Sequence, residues 1–222
     1  MSRLTLPTKL LLFCVLFVAG IAITHAEEGQ WQKQKDADGI QIYTRSKANS
    51  PINEVLGKTV LPVPHWVVMN VVSDFANYKD FMPNTTISKE LKRQGHTIFS
   101  YQYLDIPIIS NRDYVIAVKN VSYRTDKETI VYKTQWRPSI EIAPPLPKDT
   151  VRVEINEGHW ILKSAQQGKA TQASYYLYTA PGGQIPAWAA NQGNTRTIPK
   201  MFEAIVAQSR LKKYWQTKPQ VP

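Results

Sequence analysis

The sequence predicts an α+β fold in which a curved antiparallel sheet wraps around a long C-terminal helix. Seven segments between residues 39 and 179 are rich in Val, Ile, Tyr and Thr, which is typical of β-strands. One of these segments, at residues 151–162, is long enough to bend. After the last strand, residues 197–214 have the apolar spacing of an amphipathic helix.

The first 26 residues have the composition of a secretory signal peptide. Arg3 and Lys9 precede an unbroken apolar run at residues 10–23, and the small residues Thr24 and Ala26 stand where a signal peptidase reads the chain. As a helix the run would be about 21 Å long, which is less than the roughly 30 Å of a hydrocarbon core. We therefore expect cleavage after Ala26 and export across the inner membrane to a bacterial periplasm. An uncleaved anchor is the alternative.

The exported chain forms one domain at residues 27–214, followed by a tail at residues 215–222. The tail is polar and contains proline, so we expect it to be disordered. The single cysteine, Cys14, lies in the signal peptide, so the domain has no thiol for a disulfide, a nucleophile or a metal site. We expect a monomer.

Basic residues outnumber acidic ones in the exported chain. It contains 25 Lys and Arg, because Arg3 and Lys9 leave with the signal, against 17 Asp and Glu, which gives a net charge of +8. Such an excess favours transient contact with anionic membrane surfaces. Export argues against a nucleic acid as the partner.

Strands account for most of the domain. At residues 39–47, Ile40 and Ile42 alternate with polar residues, as in a strand with one buried face. Few helical segments intervene, so we expect neighbouring strands to pair antiparallel. The other predicted strands are residues 54–61, 97–104, 113–123, 129–136, 151–162 and 171–179.

The apolar positions change face within residues 151–162. Val151 and Val153 are odd-numbered, whereas Trp160 and Leu162 are even-numbered. Gly158 follows the change and suits a bulge or a sharp bend. A strand of this length extends about 40 Å, which favours a sheet that curves around something.

Two segments are predicted to be helical. Residues 64–75 begin with a proline suited to a first helical turn, although their valines would equally permit a strand. Residues 197–214 form the closing amphipathic helix, with Pro199 in its first turn, and residues 185–191 form a short helical piece before it. The apolar side of the closing helix carries Ile198, Met201, Phe202 and Ile205.

Sequence motifs for catalysis are absent. The histidines of the exported chain, His65, His96 and His159, are too widely spaced for a metal site. There is no nucleophile elbow, no phosphate-binding loop and no dinucleotide-binding glycine pattern. We expect neither a cofactor nor a metal.

Aromatic side chains occur on nearly every predicted strand. Large side chains with polar tips suit a packed core and equally a cavity for a long apolar ligand, so composition alone does not decide between the two. These residues are Tyr101, Tyr103, Tyr114, Trp136, Trp160, Tyr175, Tyr176 and Tyr178.

Four segments, in the same order and at similar spacing, resemble the START (StAR-related lipid transfer) family. In residues 74–83 an aspartate is followed by aromatics, and residues 107–115 contain an Arg-Asp-aromatic-Val strand opening. Residues 158–160 are Gly-His-Trp, which is similar to a Gly-x-Trp motif, and residues 181–191 begin with Pro-Gly-Gly-Gln-Ile-Pro. No single motif is decisive, but together they span most of the domain.

The resemblance implies the helix-grip fold, in which the sheet encloses a tunnel for one lipid. The protein is therefore expected to bind a lipid or another long apolar ligand and to shuttle it between membranes. Arg112 would pair with a carboxylate or a lipid headgroup if it faces inward, or lie exposed at the strand start. The expected cavity and gate residues are Phe99, Tyr101, Tyr103, Arg112, Tyr114, Trp136, Trp160, Tyr176, Tyr178, Trp188, Met201, Phe202 and Ile205.

The family's architecture also implies a gate, formed by the helix at residues 199–211 and the turn at residues 107–111. An Ile205→Arg variant is expected to lose its ligand while remaining folded. Basic residues near the gate favour docking on an anionic membrane. They are Lys200, Arg210 and Lys212.

Departures from the family limit what the resemblance implies about the ligand. Sterol-carrying members use a buried acid–base pair, and the corresponding positions here are Phe99 and Val118. Ala180 stands where many members have an acid before the Pro-Gly-Gly turn. The resemblance therefore does not imply a sterol.

Two other functions stay open. Helix-grip folds also host cyclase- or hydrolase-type enzymes that act on bound apolar substrates. Here His96, His159 or Asp105 would have to supply the acid or base. The other possibility is an adaptor with a filled core that docks through its basic surface. The sequence favours a binding protein over both.

Overall fold

A computed structural model of the protein describes residues 29–125, 127 and 129–221. The predicted signal peptide lies outside the described residues. Among the described helices, none is both long and apolar enough to cross a membrane. The strands are β1 (Gln32–Ala37), β2 (Ile40–Arg45), β3 (Glu54–Leu61), β4 (Thr85–Gln94), β5 (Thr97–Leu104), β6 (Asn111–Asn120), β7 (Tyr123–Arg124), β8 (Ile130–Pro138), β9 (Thr150–Arg152), β10 (Ile155–Ala165) and β11 (Ala170–Ala180), and the α-helices are α1 (His65–Val72) and α2 (Ala187–Gln208).

The described strands form one sheet in the order β1-β2-β3-β11-β10-β8-β6-β5-β4, with β7 on β8 and β9 on β6. Neighbours pair antiparallel, except that β9 runs parallel to β6. The last strand, β11, lies beside β3, so the chain returns to the middle of the sheet before α2 begins. The predicted α+β helix-grip architecture is confirmed.

The strands that the sequence did not predict lie at the edges of the sheet or are very short. β1 is exposed along its whole length, and β4 buries only Thr85 and Ser88. Lysines on both strands discourage pairing with other chains, as on many natural edge strands. Without a buried face these strands carry no apolar alternation, which is why the pattern missed them.

Residues 151–162 form two strands, not the single bent strand that was predicted. The pairing breaks between Arg152 and Ile155, and the buried face changes there, because Val153 is buried while Ile155 is 40% exposed. At Gly158 the pairing is regular on both sides, with Leu177 on β11 and Trp136 on β8. The predicted bulge at Gly158 is therefore wrong.

Gly158 is needed for close packing instead. A Cβ atom at this position would lie 2.4 Å from Cζ2 of Trp136 and 2.3 Å from the backbone oxygen of Tyr176. Both distances are far below van der Waals contact. The glycine therefore makes room for the Trp136 indole on the inner face of the sheet.

The two helical pieces predicted near the C-terminus form one helix, α2. It runs from Ala187 to Gln208, so Pro199 lies in its interior and not in its first turn. The second half of α2 packs with α1 against the inner face of the sheet and contributes Ile198, Phe202 and Ile205 to the largest apolar core.

The C-terminal tail lies against α1 and β8. Nδ2 of Asn70 donates hydrogen bonds of 2.8 Å to the carbonyl oxygens of Tyr214 and Thr217. The hydroxyl of Tyr132 donates to the carbonyl of Pro219 over 3.3 Å. Residues 217–221, which we predicted to be disordered, have no regular secondary structure, yet they lie on the domain and not free of it.

Candidate ligand-binding pocket

A pocket of about 380 Å³ lies between the inner face of the sheet and the first half of α2. Most of the lining is apolar. The lining side chains come from even-numbered positions of β5, β6, β8 and β10, from odd-numbered positions of β11, and from the β5–β6 loop and α2. The lining includes Phe75, Tyr78, Met82, Gln102, Leu104, Ile106, Ile109, Arg112, Tyr114, Ile116, Trp136, Val153, Asn156, Trp160, Tyr175, Leu177, Ile185, Ala189, Gly193 and Met201.

The pocket exists because side-chain size changes along α2. The pocket-lining residues of the first half are small, and include Ala189, Ala190 and Gly193. The second half presses directly on the sheet, since a Cβ atom at Gly57 of β3 would lie only 2.8 Å from Cγ2 of Ile198. The helix thus closes the core at one end and leaves space at the other.

Two pocket-lining segments, the β5–β6 loop and the start of α2, also carry exposed apolar side chains, and we call these two segments the mouth of the pocket. Ile106 and Ile109 of the β5–β6 loop line it, and Ile108 between them is fully exposed with a backbone φ of 78°. At the start of α2, Trp188 is next to the lining residue Ala189 and is 71% exposed. The pocket-lining residues of α2 run from Ala189 to Met201, so only Met201 falls within the predicted gate helix at residues 199–211, and the gate stays a prediction.

Arg112 links the β5–β6 loop to the turn that precedes α2. Its guanidinium donates to the carbonyl oxygen of Ser110 at the end of the β5–β6 loop, and to those of Pro181 and Gly182 over 3.3 Å. Burial lowers the pKa of Arg112, and no described carboxylate forms an ion pair with it. The residue thus faces inward, as one prediction had it, but its partners are backbone carbonyls.

Two separate hydrogen bonds join polar side chains of the pocket wall. The indole Nε1 of Trp136 donates to Oδ1 of Asn156 over 3.0 Å. The Tyr114 hydroxyl donates to Oε1 of Gln102 over 2.6 Å. Burial raises the pKa of Tyr114 well above the usual range, so its hydroxyl stays protonated.

Five of the predicted site residues line this pocket together. Their side chains come from three neighbouring strands and from α2, and their roles as ligand contacts stay predictions. They are Arg112, Tyr114, Trp136, Trp160 and Met201.

The other predicted site residues do not line it, mostly because of the period of two along a strand. On β5 the even-numbered residues face the pocket, and on β11 the odd-numbered ones do. Four predicted residues have the opposite parity and therefore point to the outer face: Phe99, Tyr101, Tyr103 and Tyr176. Phe99 and Tyr176 border a second, outer pocket of about 380 Å³.

The remaining four lie beside the pocket. Tyr178 packs with Ile52 and donates a hydrogen bond to Ser50 Oγ over 2.9 Å. Phe202 and Ile205 are buried in the core, where the ring of Phe202 meets that of Trp160 edge to face. Trp188 is 71% exposed at the start of α2.

Many lining residues were not predicted as site residues, and among them are the polar Gln102 and Asn156 and the aromatic Tyr175. A glutamine between tyrosines in a strand was the available signal for Gln102. The placement of the sterol-type pair also needs correction. Phe99 lies on the outer face, and the residue opposite Val118 is Ile98. The pair of positions is apolar in either case.

None of the three candidate acid–base residues lines the pocket. His96 and Asp105 are exposed. His159 lies on the outer face, with its ring stacked on that of Tyr176 at 4.9 Å. Burial, with a smaller effect of Lys133, lowers the pKa of His159.

Sequence comparisons relate the chain to known proteins. Residues 61–206 match the family described as polyketide cyclase / dehydrase and lipid transport. An uncharacterized protein of Pseudomonas aeruginosa is 30% identical over 178 residues, which cover 80% of this chain and 83% of that protein. The phosphatidylcholine transfer protein of Mus musculus is 24% identical over 187 residues, which cover 83% of this chain and 85% of that protein.

Solved structures show the same fold. A STAR-related lipid transfer protein from Xanthomonas axonopodis superposes with a TM-score of 0.70 at 27% identity, covering 82% of this chain and 99% of that one. Human STARD10 superposes with a TM-score of 0.67 at 16% identity, covering 82% and 76% of the two chains. The second likeness concerns the fold alone.

Proposed function

This chain belongs to the family described as polyketide cyclase / dehydrase and lipid transport, and on that premise we propose that it binds one apolar ligand and carries it between membranes. The pocket between the sheet and the first half of α2 is the observation that carries the proposal. We further propose that the protein works as a monomer after export, in the periplasm of a bacterial host, because its first 26 residues have the pattern of a signal peptide.

Burial of hydrocarbon is the driving force of this proposal. Each methylene group removed from water contributes about 0.8 kcal/mol, so ten of them contribute roughly 8 kcal/mol before the costs of association. Specific polar contacts are not required for such binding. The aromatic and aliphatic wall supplies the surface that the ligand would cover.

The charge of the pocket supports binding over catalysis. Among the described residues that line it there is no Asp, Glu, Lys or His. Its tyrosines Tyr78, Tyr114 and Tyr175 all have pKa values raised by burial, so they are poor proton donors and acceptors near neutral pH. A cyclase or hydrolase would need such a group beside its substrate.

The first test is native mass spectrometry of the exported chain purified from its host. We expect a bound apolar molecule that leaves chemically unchanged and that transfers between vesicles when the protein is added. A protein that carries no such molecule, and takes none up from vesicles, would rule out the proposed function.

Gly193→Leu is the variant that separates ligand binding from folding. Gly193 lines the pocket from α2, and a Cβ atom there would meet nothing within 4 Å, so a larger side chain enters open space. Leucine also favours a helix over glycine by about 1 kcal/mol. We expect a melting temperature about 2–4 °C higher, together with a several-fold loss of bound ligand.

Gly193→Ala is the matched control for this variant. It brings the same gain in helix propensity but adds only a methyl group to the pocket. Ligand occupancy should stay near that of the natural protein. Equal occupancy in the alanine and leucine variants would show that the ligand does not occupy this part of the molecule.

The exposed apolar side chains at the mouth support contact with a membrane. Ile108 is a β-branched residue held at a positive φ, which costs roughly 1–2 kcal/mol and exposes its side chain fully. Trp188 is exposed at the start of α2, and Lys200 is exposed further along the same helix. Arg210 and Lys212 lie past the far end of the helix and are not part of this surface.

Replacing both mouth residues should slow delivery without emptying the pocket. We expect Ile108→Asn/Trp188→Gln to reduce the rate of transfer between anionic vesicles about tenfold at unchanged ligand occupancy, because less apolar surface enters the bilayer. Asparagine is chosen because it tolerates a positive φ. Val60→Thr, at an exposed apolar position on the outer face of β3, should leave the rate unchanged.

A further inference from the structure

We propose that the pocket recognises a neutral ligand with a carbonyl oxygen, such as an ester or a ketone, and that Gln102 Nε2 donates the recognising hydrogen bond. This rests on the proposed function and names the class of ligand for the same pocket. Three observations carry it: the charge of the lining, the hydrogen bond that Tyr114 donates to Gln102, and the volume.

The pocket offers little to a charged headgroup. Arg112 is the one charged residue among the described residues that line it. Its guanidinium already donates to three backbone carbonyls, and it is only 2% exposed. A carboxylate or phosphate brought inside would lose its hydration without an unoccupied cation to replace it, which disfavours such ligands strongly.

The Tyr114 hydroxyl fixes which way the Gln102 amide is turned. It donates to Oε1 of Gln102 over 2.6 Å, so the oxygen of this amide faces Tyr114 and the nitrogen is turned away from it. The other polar pair of the pocket wall is separate, because the Trp136 indole, which can only donate, gives its hydrogen bond to Oδ1 of Asn156.

Gln102 Nε2 has no acceptor within the described part of the protein. The residue lines the pocket and is only 2% exposed. Its amide nitrogen keeps some accessible surface, because the described side-chain atoms that are fully buried without a partner are His65 Nδ1 and Ser100 Oγ. A ligand carbonyl oxygen, which accepts and never donates, would satisfy this group without bringing in a charge.

The volume restricts the ligand further. About 380 Å³ is near the lower end of the range of roughly 300–1,000 Å³ seen for ligand pockets. This space suits a single chain or a compact ring system. A phospholipid with two acyl chains is much larger, so we expect the ligand to differ from that named for the phosphatidylcholine transfer protein of the mouse.

The test is displacement of a fluorescent apolar dye from the exported chain by ligands of equal chain length. The panel consists of hexadecane, methyl palmitate, palmitate and dipalmitoyl phosphatidylcholine. We expect methyl palmitate to bind about tenfold more tightly than hexadecane, as one net hydrogen bond provides, and more tightly than palmitate. The phospholipid should not displace the dye.

Gln102→Leu should abolish this preference, so that the ester and the hydrocarbon bind equally. Because that change deprives the Tyr114 hydroxyl of its acceptor, the double variant Gln102→Leu/Tyr114→Phe is measured beside it and should give the same result in a better satisfied pocket. Gln172→Leu, at an exposed position of β11, is the control and should keep the tenfold preference.

Tighter binding of palmitate or of the phospholipid would overturn the inference, as would an ester preference that survives in both Gln102 variants. Equal binding of hexadecane and methyl palmitate to the natural protein would overturn it as well, while leaving the proposed function intact. If no member of the panel displaces the dye, the proposed function itself fails.

Discussion

An Ile205→Arg variant is expected to unfold, with a loss of more than about 4 kcal/mol in the free energy of unfolding. Ile205 has no exposed surface and packs in the main core with Phe202 and residues of α1. The guanidinium would enter this core without a carboxylate to pair with, and the isoleucine contacts would be lost as well. Such a loss is a large part of the roughly 5–15 kcal/mol that holds a typical domain together.

Urea denaturation followed by near-ultraviolet circular dichroism measures this effect. Ile205→Val is the control, since it removes one methylene group and should cost about 0.5–1.5 kcal/mol. An arginine variant with the stability of the natural protein would show that this part of the core is not packed as described. The sequence predicts instead that this variant stays folded and loses its ligand, because Ile205 belongs to the predicted gate helix at residues 199–211.

Arg152→Met is expected to reduce the free energy of unfolding by about 3–5 kcal/mol. Nε and Nη2 of Arg152 donate to the two carboxylate oxygens of Asp113 over 3.0 and 2.6 Å, and Asp113 has no exposed surface. Nη2 also donates to the carbonyl of Pro144 over 2.9 Å. Methionine keeps most of the side-chain volume but leaves the Asp113 carboxylate buried without its partner.

Asp113 also affects its neighbour Tyr101. Burial and the Asp113 carboxylate together raise the pKa of Tyr101 to about 12.

A double variant tests whether the unpaired carboxylate causes the instability. If it does, Asp113→Asn/Arg152→Met should be more stable than Arg152→Met alone. Arg137→Met removes an exposed arginine and should change stability by no more than about 0.5 kcal/mol. Chemical denaturation of the three variants decides the matter. An Arg152→Met variant that loses no more unfolding free energy than the Arg137→Met control would contradict the prediction.

The motif that contains Arg112 and Asp113 shows how far a local pattern reaches. The sequence indicated an Arg-Asp-aromatic-Val strand opening, and alternation put the two charged residues on opposite faces of β6. The partners lie far along the chain, at Arg152 for Asp113 and at Pro181 and Gly182 for Arg112. No spacing within the motif reveals them, because they depend on how β9 and the turn before α2 return to β6.

The assignment of side chains to faces shows the same limit. Tyr175 and Tyr176 are adjacent aromatics in one strand, and only the first lines the pocket. A shift by one residue moves every side chain of a strand to the other face, so a correct strand prediction does not by itself identify the pocket wall. On β5 such a one-residue error led to the prediction of Tyr101 and Tyr103 as pocket residues, where the structure has Gln102. It likewise led to Phe99 being paired with Val118, where the structure has Ile98.

The sequence by itself determined the class of fold, the antiparallel pairing of most strands, the closing helix and, through four short motifs, the family. These properties follow from local alternation, helical spacing and turn residues, which neighbouring amino acids set. Only the tertiary structure decided that α2 touches the sheet at Gly57 and stands away from it beside Gly193, and that a space therefore remains. The physical reason is that the size of a pocket depends on the side chains that meet from distant parts of the chain.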